Sequence, residues 1–326
     1  MVKRIIIGIF VLFALSILIY GLIRLMPGDY VQNSTAGSAR LSAAAKEQMI
    51  HSYGLDSSVA EGYIHWISNG IRGDLGTSFL YKKPVVQVIC EGLPTTLLIS
   101  AAALCIQLIL ALWMGISSAF RDSAKWRLFF GSFTVLSISM PVFFAALLLQ
   151  KWLALDLGLF PLQGQISLKV EYTGILYMAD VMIHLVLPIL TLVLTGVGGT
   201  ARYIKEHTEH ILSSDFVFAA IARGFDKKQI VINHVAPNLK VLLAVIIGRE
   251  IPGLLTKTLI VEEVFALNGL GTSVFAALST GDIPMIMGFS VFLAFVVLFC
   301  ALAEDILYAL SDPRIRLGKG GTYYGA

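Results

Sequence analysis

Runs of apolar residues long enough to cross a bilayer recur along this chain, at about 5–26, 95–120, 128–152, 184–202, 239–261 and 286–310. About 20 residues suffice for a helix to span the hydrocarbon, and no other feature constrains the fold so tightly. Inside lipid every backbone N–H and C=O must find a partner within the protein, which leaves helices or closed barrels. The runs lack the ten-residue alternation of barrel strands. The expected fold is therefore all-α and polytopic, with six transmembrane helices. Composition agrees, with 57% hydrophobic residues, 14% charged residues and a mean hydropathy of +0.81.

Two of the six runs are irregular. The fourth is short and holds Gly196, Gly198 and Gly199, and the fifth carries Arg249, Glu250, Pro252 and Lys257. Trp126 and Trp152 bracket the third, spaced to sit at the two interfaces of one straight helix as anchors; packing against neighbouring helices is the alternative. Cys90, Cys105 and Cys300 show no metal-ligand or CxxC spacing and read as small buried apolar residues. Lys3 and Arg4 precede a run longer than a signal core, without a small-x-small cleavage site, so it reads as a retained first helix.

Orientation follows from the basic residues of short loops, which gather on the cytoplasmic side. With the N-terminus inside, Lys3, Arg4, Arg121, Lys125, Arg127, Arg202, Lys205, Arg223, Lys227, Lys228, Lys240, Arg314, Arg316 and Lys319 all fall inside. The outer segments at about 153–183 and 262–285 hold only Lys169 between them. Both termini are expected in the cytoplasm. The organisation read from this is a first helix at 1–26, an extracytoplasmic helical cap at 27–94, a five-helix core at 95–310 and a tail at 311–326. In the cap, Ser42 precedes one helix that Gly54 can end, and Ser57 or Ser58 precedes a second that ends near Gly70.

Between the fourth and fifth runs the segment 203–238 leaves the apolar register. Its part DFVFAAIARGFDKKQIVINHVAP (215–237) predicts a helix capped by Ser213 or Ser214 and ended by Gly224. A second short helix comes next, capped by Asp226 and stopped by Pro237. Phe216, Phe218, Ile221 and Phe225 give apolar area, and Ala219, Ala220, Ala222 and Gly224 give low relief. A polar loop without a partner has no use for four large apolar side chains. Docking on another protein and lying on the lipid surface both account for the pattern.

The spacing Ala219, Ala220, Gly224, Pro237 resembles the EAA loop of binding-protein-dependent ABC importer permeases. Phe218 stands in the usual glutamate position, and His234 and Ala236 replace the usual Ile and Leu. RLMPGD (24–29), GLD (54–56), RGDLGTSF (72–79), LPTTL (93–97), SMPVFF (139–144), HLVLPILTL (184–192), VEEVFALNGLG (261–271) and DILYALSDPRIR (305–316) look like signatures of the dipeptide, oligopeptide and nickel branch, in its first permease of the pair. Asn268 and Ala301 depart from that pattern. The resemblance covers essentially the whole chain. It implies a type I ABC importer permease fold and import of peptides, with nickel or a metal chelate as the alternative cargo. The implied partners are a second homologous permease in a heterodimer, two ATPase subunits, an extracytoplasmic solute-binding protein and the bilayer of a bacterial or archaeal cell, with no nucleic acid. It also implies that Asp215, Phe218, Ala219, Ala220, Arg223, Gly224, Phe225 and Pro237 form the loop that docks the ATPase.

The chain has no phosphate-binding loop, since GKGG (318–321) lacks both the earlier glycine and the hydroxyl residue. ATP and Mg are thus expected on partner subunits, with no cofactor and no enzyme site in this chain. His207 and His210 lie one turn apart beside Glu206 and Glu209, in a stretch that reads as a solvated helix extension more readily than as a metal site. No nucleophile or metal constellation stands out, so no catalytic or metal residues are assigned. Ionisable groups at membrane depth are costly and mark pathways, which makes Arg249, Glu250 and Lys257 pathway candidates; Glu262 and Glu263, at the outer end of the span, join them as groups that either line the outer vestibule or meet the binding protein. A later start of the fifth span would instead leave Arg249 and Glu250 near the cytoplasmic interface. An ion-coupled secondary transporter also accounts for six helices and buried charges, but gives no reason for the docking loop or the cap.

Overall fold

A computed structural model describes residues 2–25, 58–167 and 173–311. Their order is α1 (Val2–Leu25), α2 (Val59–Ile71), α3 (Val85–Phe120), α4 (Ala124–Ser139), α5 (Val142–Leu149) and a π-helical turn Gln150–Asp156. Then come α6 (Ile175–Leu212), α7 (Asp215–Ala222), α8 (Lys227–Ile230), a second π turn Val231–Val235, α9 (Ala236–Phe265), α10 (Leu270–Thr280) and α11 (Ile283–Ser311). Among the described residues the only strand-like pairing is an isolated bridge between Thr77 and Pro84. The Ser42–Gly54 helix of the expected cap, GLD, nearly all of RLMPGD and the DPRIR end of the last stretch lie outside the described residues.

By length and composition α3, α6 and the Ile283–Glu304 part of α11 are able to cross a membrane, and the number among the described residues is up to five if each of two bent helix pairs is one span. The apolar part of α1, Ile6–Leu22, is shorter. One expectation is overturned. The third run is not a straight rod between Trp126 and Trp152, because it bends by 107° at a break after Ser139. Pro141 lacks the N–H that would continue the ladder, and Met140 before it takes extended backbone angles. Trp126 also packs on its neighbours. Its indole lies 4.4 Å from the Arg121 guanidinium and packs on Trp113 and Phe129.

The cysteines also depart from expectation, since Cys90 and Cys105 are exposed and only Cys300 is buried. A helix surrounded by lipid gains little from turning an apolar side chain inward, because lipid tails are as apolar as a protein core. Apolar side chains are exposed all along α1, α3 and α4 for the same reason.

The described residues form two compact units. The first draws on 1–98, 163–171 and 262–298. Here α2 starts at Ser58 through a reciprocal capping box with Glu61. Its Tyr63 and Trp66 pack on Phe13 and Tyr20 of α1 and on Ile283 and Met287 of α11, and the Tyr63 hydroxyl meets Ser16 Oγ at 2.7 Å. The RGDLGTSF stretch becomes a tight loop in which Gly76 N–H donates to Asp74 Oδ1. The loop is pinned by Asp282, a fully buried residue at the start of α11. Asp282 accepts from Ser78 Oγ (2.5 Å), from the N–H of Leu80 (3.0 Å) and from the N–H of Met285 (3.3 Å).

The second unit draws on 99–162, 172–261 and 299–326 and is organised by α6. At 38 residues this helix is twice the length of its apolar run and continues through Pro188. Its buried hydroxyls are satisfied by the turn before them: Thr191 donates to the Leu187 carbonyl, Thr195 to Thr191, Thr200 to Gly196 and Thr208 to Ile204. Such back-bonding is how a polar side chain is tolerated in a membrane helix. Ala201, Ile204, Val217, Ile230, Val235 and Leu239 pack into one apolar cluster with Met114 and Phe130.

Candidate functional site

The segment between α6 and α9 is built from the end of α6 onward. Ser214 is the N-cap residue of α7, but its hydroxyl donates back to the Ile211 carbonyl (2.5 Å) instead of accepting from the new helix. One face of α7, Val217 and Ala220, is buried and fixes the segment to the helix ends beneath it. The opposite face presents Phe216, Ile221 and Phe218, the last 75% exposed. Asp215, Ala219 and Arg223 are exposed beside them.

Gly224 closes α7 with φ +88°, and nothing lies within 4 Å of where a Cβ would stand. Glycine is required there by backbone angle and not by space. Asp226 and Gln229 then form a capping box for α8, with Gln229 N–H donating to Asp226 Oδ1 at 2.7 Å. Pro237 does not stop this helix, contrary to expectation. The wide turn Val231–Val235 precedes it, and Pro237 becomes the second residue of α9. A π turn removes the clash between a proline ring and the carbonyl four residues back, so the chain continues as a helix. The His234 ring sits 5.9 Å from Phe216 and 6.0 Å from Phe225, which ties the two arms of the segment together. The sequence departure at 234 is thus an aromatic clamp.

The five pathway candidates do not form one constellation. Arg249 is exposed, while the neighbouring Glu250 accepts from Gln107 Nε2 at 3.1 Å. Lys257 Nζ reaches the Thr195 carbonyl at 3.4 Å. Glu262 belongs to the other unit, is fully buried and accepts the N–H of Gly271 at 2.6 Å, where it closes the first turn of α10. Its carboxyl fills the space in which a Cβ on Gly269 would stand. Glu263 is exposed. The stretch KEHTEH is the surface end of α6, with Arg202–Glu206 and Lys205–Glu209 ion pairs one turn apart and His207 packed on Tyr203.

Sequence reading missed the polar residues that join the helices. Gln107 is fully buried and donates to Thr200 Oγ1 (2.9 Å) as well as to Glu250. Ser100 and Thr258 share a hydrogen bond of 2.9 Å, and Ser137 bonds to the backbone of α6. The available signal was a lone Gln in AALCIQLIL, since a carboxamide in hydrocarbon needs partners.

The sequence matches the family described as the binding-protein-dependent transport system inner membrane component over residues 107–317. It is 31% identical to the oligopeptide transport system permease protein AppB of Bacillus subtilis, across 96% of this chain and 98% of that protein. It is 28% identical to the dipeptide transport system permease protein DppB of Lactococcus lactis subsp. cremoris, across 97% and 98%. Among solved structures, a chain of the inward-facing MetNI methionine ABC transporter shares the fold with a TM-score of 0.50 and 16% identity, covering 70% of this chain and 96% of that one. Multi-pass helices, an exposed helix-turn-helix and these likenesses converge: the chain belongs to the family of binding-protein-dependent transport system inner membrane components.

Proposed function

We propose that this chain is the membrane-spanning permease subunit of an ATP-driven importer of peptides delivered by a solute-binding protein. The observation that carries the proposal is the α7 segment, which buries Val217 and Ala220 against its own helices while presenting Phe216, Phe218 and Ile221 outward. Such a face fits a cleft in a separate ATPase subunit. Peptide cargo is supported by the names of the relatives, an oligopeptide and a dipeptide permease.

In this reading six transmembrane helices place both termini in the cytoplasm, with 27–94 as the outer cap and 203–238 as the coupling segment. The permease pairs with a homologous second permease in a heterodimer in a bacterial or archaeal cell membrane. Two ATPase subunits hold ATP and Mg, and this chain holds no cofactor. Closure of the ATPases moves the docked α7, and the permease changes the side on which it opens. Arg249, Glu250 and Lys257 remain candidates for the pathway, whereas the burial of Glu262 favours a part in closing α10.

Co-expression with the ATPase subunits tests the docking role. Phe218→Asp is expected to abolish co-purification of the ATPase while leaving the permease in the membrane. Unchanged co-purification with that variant would refute the assignment of α7 as the docking element.

A further inference from the structure

The segment Gly196–Gly199 of α6 has its backbone contested by side chains. In an unbroken α-helix the carbonyl of Leu194 accepts from the N–H of Gly198. α6 is continuous through these residues, and the Ser137 hydroxyl of α4 reaches both groups as well, donating to the Leu194 carbonyl at 2.5 Å and accepting from the Gly198 N–H at 3.0 Å. The next carbonyl, Thr195, accepts from Lys257 Nζ of α9 at 3.4 Å, and the one after, Gly196, accepts from Thr200 Oγ1 at 3.3 Å. Three consecutive carbonyls thus have side-chain donors, two of them from other helices.

The glycines make this approach physically possible. A Cβ on Gly198 would stand 2.5 Å from Ser137 Cβ and 3.0 Å from Thr134 Cα, and one on Gly196 would run into the Gln107 carboxamide. Helices bend where a side chain enters the i→i−4 ladder. In lipid, a bend is tolerated only when neighbouring side chains re-satisfy the freed backbone groups. A hydroxyl that both donates and accepts can bond the carbonyl's second lone pair while the carbonyl–amide pair is closed, and can bridge the two groups when the pair opens. The backbone stays paired in either arrangement, which lowers the cost of passing between them.

We propose that Ser137 is a positioning residue for transport, its hydroxyl serving as a removable bridge in a hinge of α6 at Gly196–Gly199. This rests on the reading of the chain as an ATP-coupled permease. Hinge bending of α6 would carry the motion of the docked segment, which is joined directly to its C-terminal end, into the membrane-embedded half of the helix. Gln107, which donates to Thr200 and Glu250 beside the same glycines, holds the other flank.

The test uses the complete transporter, permease pair with ATPases and binding protein, in proteoliposomes. Substrate uptake and ATP hydrolysis are measured together, and nitroxide labels on the exposed Met178 and His210 report the shape of α6 with and without trapped nucleotide. Ser137→Ala is expected to lower uptake per ATP hydrolysed at least fivefold and to alter the nucleotide-dependent change in the 178–210 distance, with ATPase association unaltered. Ser137→Cys, nearly isosteric but a far weaker donor, is expected to fall between wild type and alanine, and keeps the test open if the alanine variant fails to assemble. Wild-type coupling and wild-type distances in either assembled variant would overturn the hinge. A wild-type complex with no ATP-dependent uptake would overturn the permease reading itself, a different outcome.

Discussion

Asp282 shows how one side chain holds together parts of the sequence two hundred residues apart. It is fully buried, and its carboxyl serves Ser78, Leu80 and Met285 at once. Asp282→Ala leaves a buried hydroxyl and two N–H groups without their acceptor, at a cost of at least about 3 kcal/mol in total, since an orphaned buried polar group costs roughly 1–3 kcal/mol. The expected result is a drop of several degrees in the unfolding temperature of the purified complex, with part of it recovered in Asp282→Asn. Two glycines supply a contrast. Gly198→Ala meets Ser137 and the Thr134 backbone and should cost roughly 1–3 kcal/mol through overpacking. Gly224→Ala meets nothing and pays only for its left-handed backbone, about 1–2 kcal/mol. Thermal unfolding of the two variants side by side checks that order.

At the scale of elements, α7 has one face buried against its own chain and one exposed face, which the proposed function assigns to the ATPase. Val217→Asp should destabilise the permease, because Val217 is fully buried in its own apolar cluster. The exposed Phe218 carries no such load, so Phe218→Asp should leave the unfolding temperature within about 0.5 kcal/mol of wild type in stability terms and act only on ATPase binding. A melting curve and a pull-down on the same two samples separate these effects. The sequence was informative here for physical reasons: Gly224 and the Asp226–Gln229 box are local signals, readable without tertiary contacts. Ser214 stands at the N-cap as read, but its hydroxyl bonds backward, and Pro237 was misread as a stop; the backbone around each sets its behaviour, through a back-bonded hydroxyl in one case and a π turn in the other. The 107° break in the third apolar run escaped hydropathy altogether. Hydropathy registers what lipid accepts, and lipid accepts a bent helix as readily as a straight one once its ends are paired.

For the molecule as a whole, repeated apolar runs were enough to read a helical membrane protein, because bilayer thickness is an external ruler that a sequence must obey. The polar joints between helices were much harder to foresee. Gln107, Ser137 and Thr258 find their partners on other helices, and no periodicity within one run announces a partner 57–158 residues away. Among the pathway candidates, Glu262 was chosen for its place near a membrane boundary, and its bond to the Gly271 N–H at the start of α10 had no signal in the sequence. The central claim concerns the energy source. Uptake of a labelled peptide into proteoliposomes holding the assembled transporter and its binding protein tests it most directly. The account predicts uptake that needs ATP on the coupling-segment side and persists when the proton gradient is dissipated. Uptake that continues without ATP and collapses with the proton gradient would contradict it.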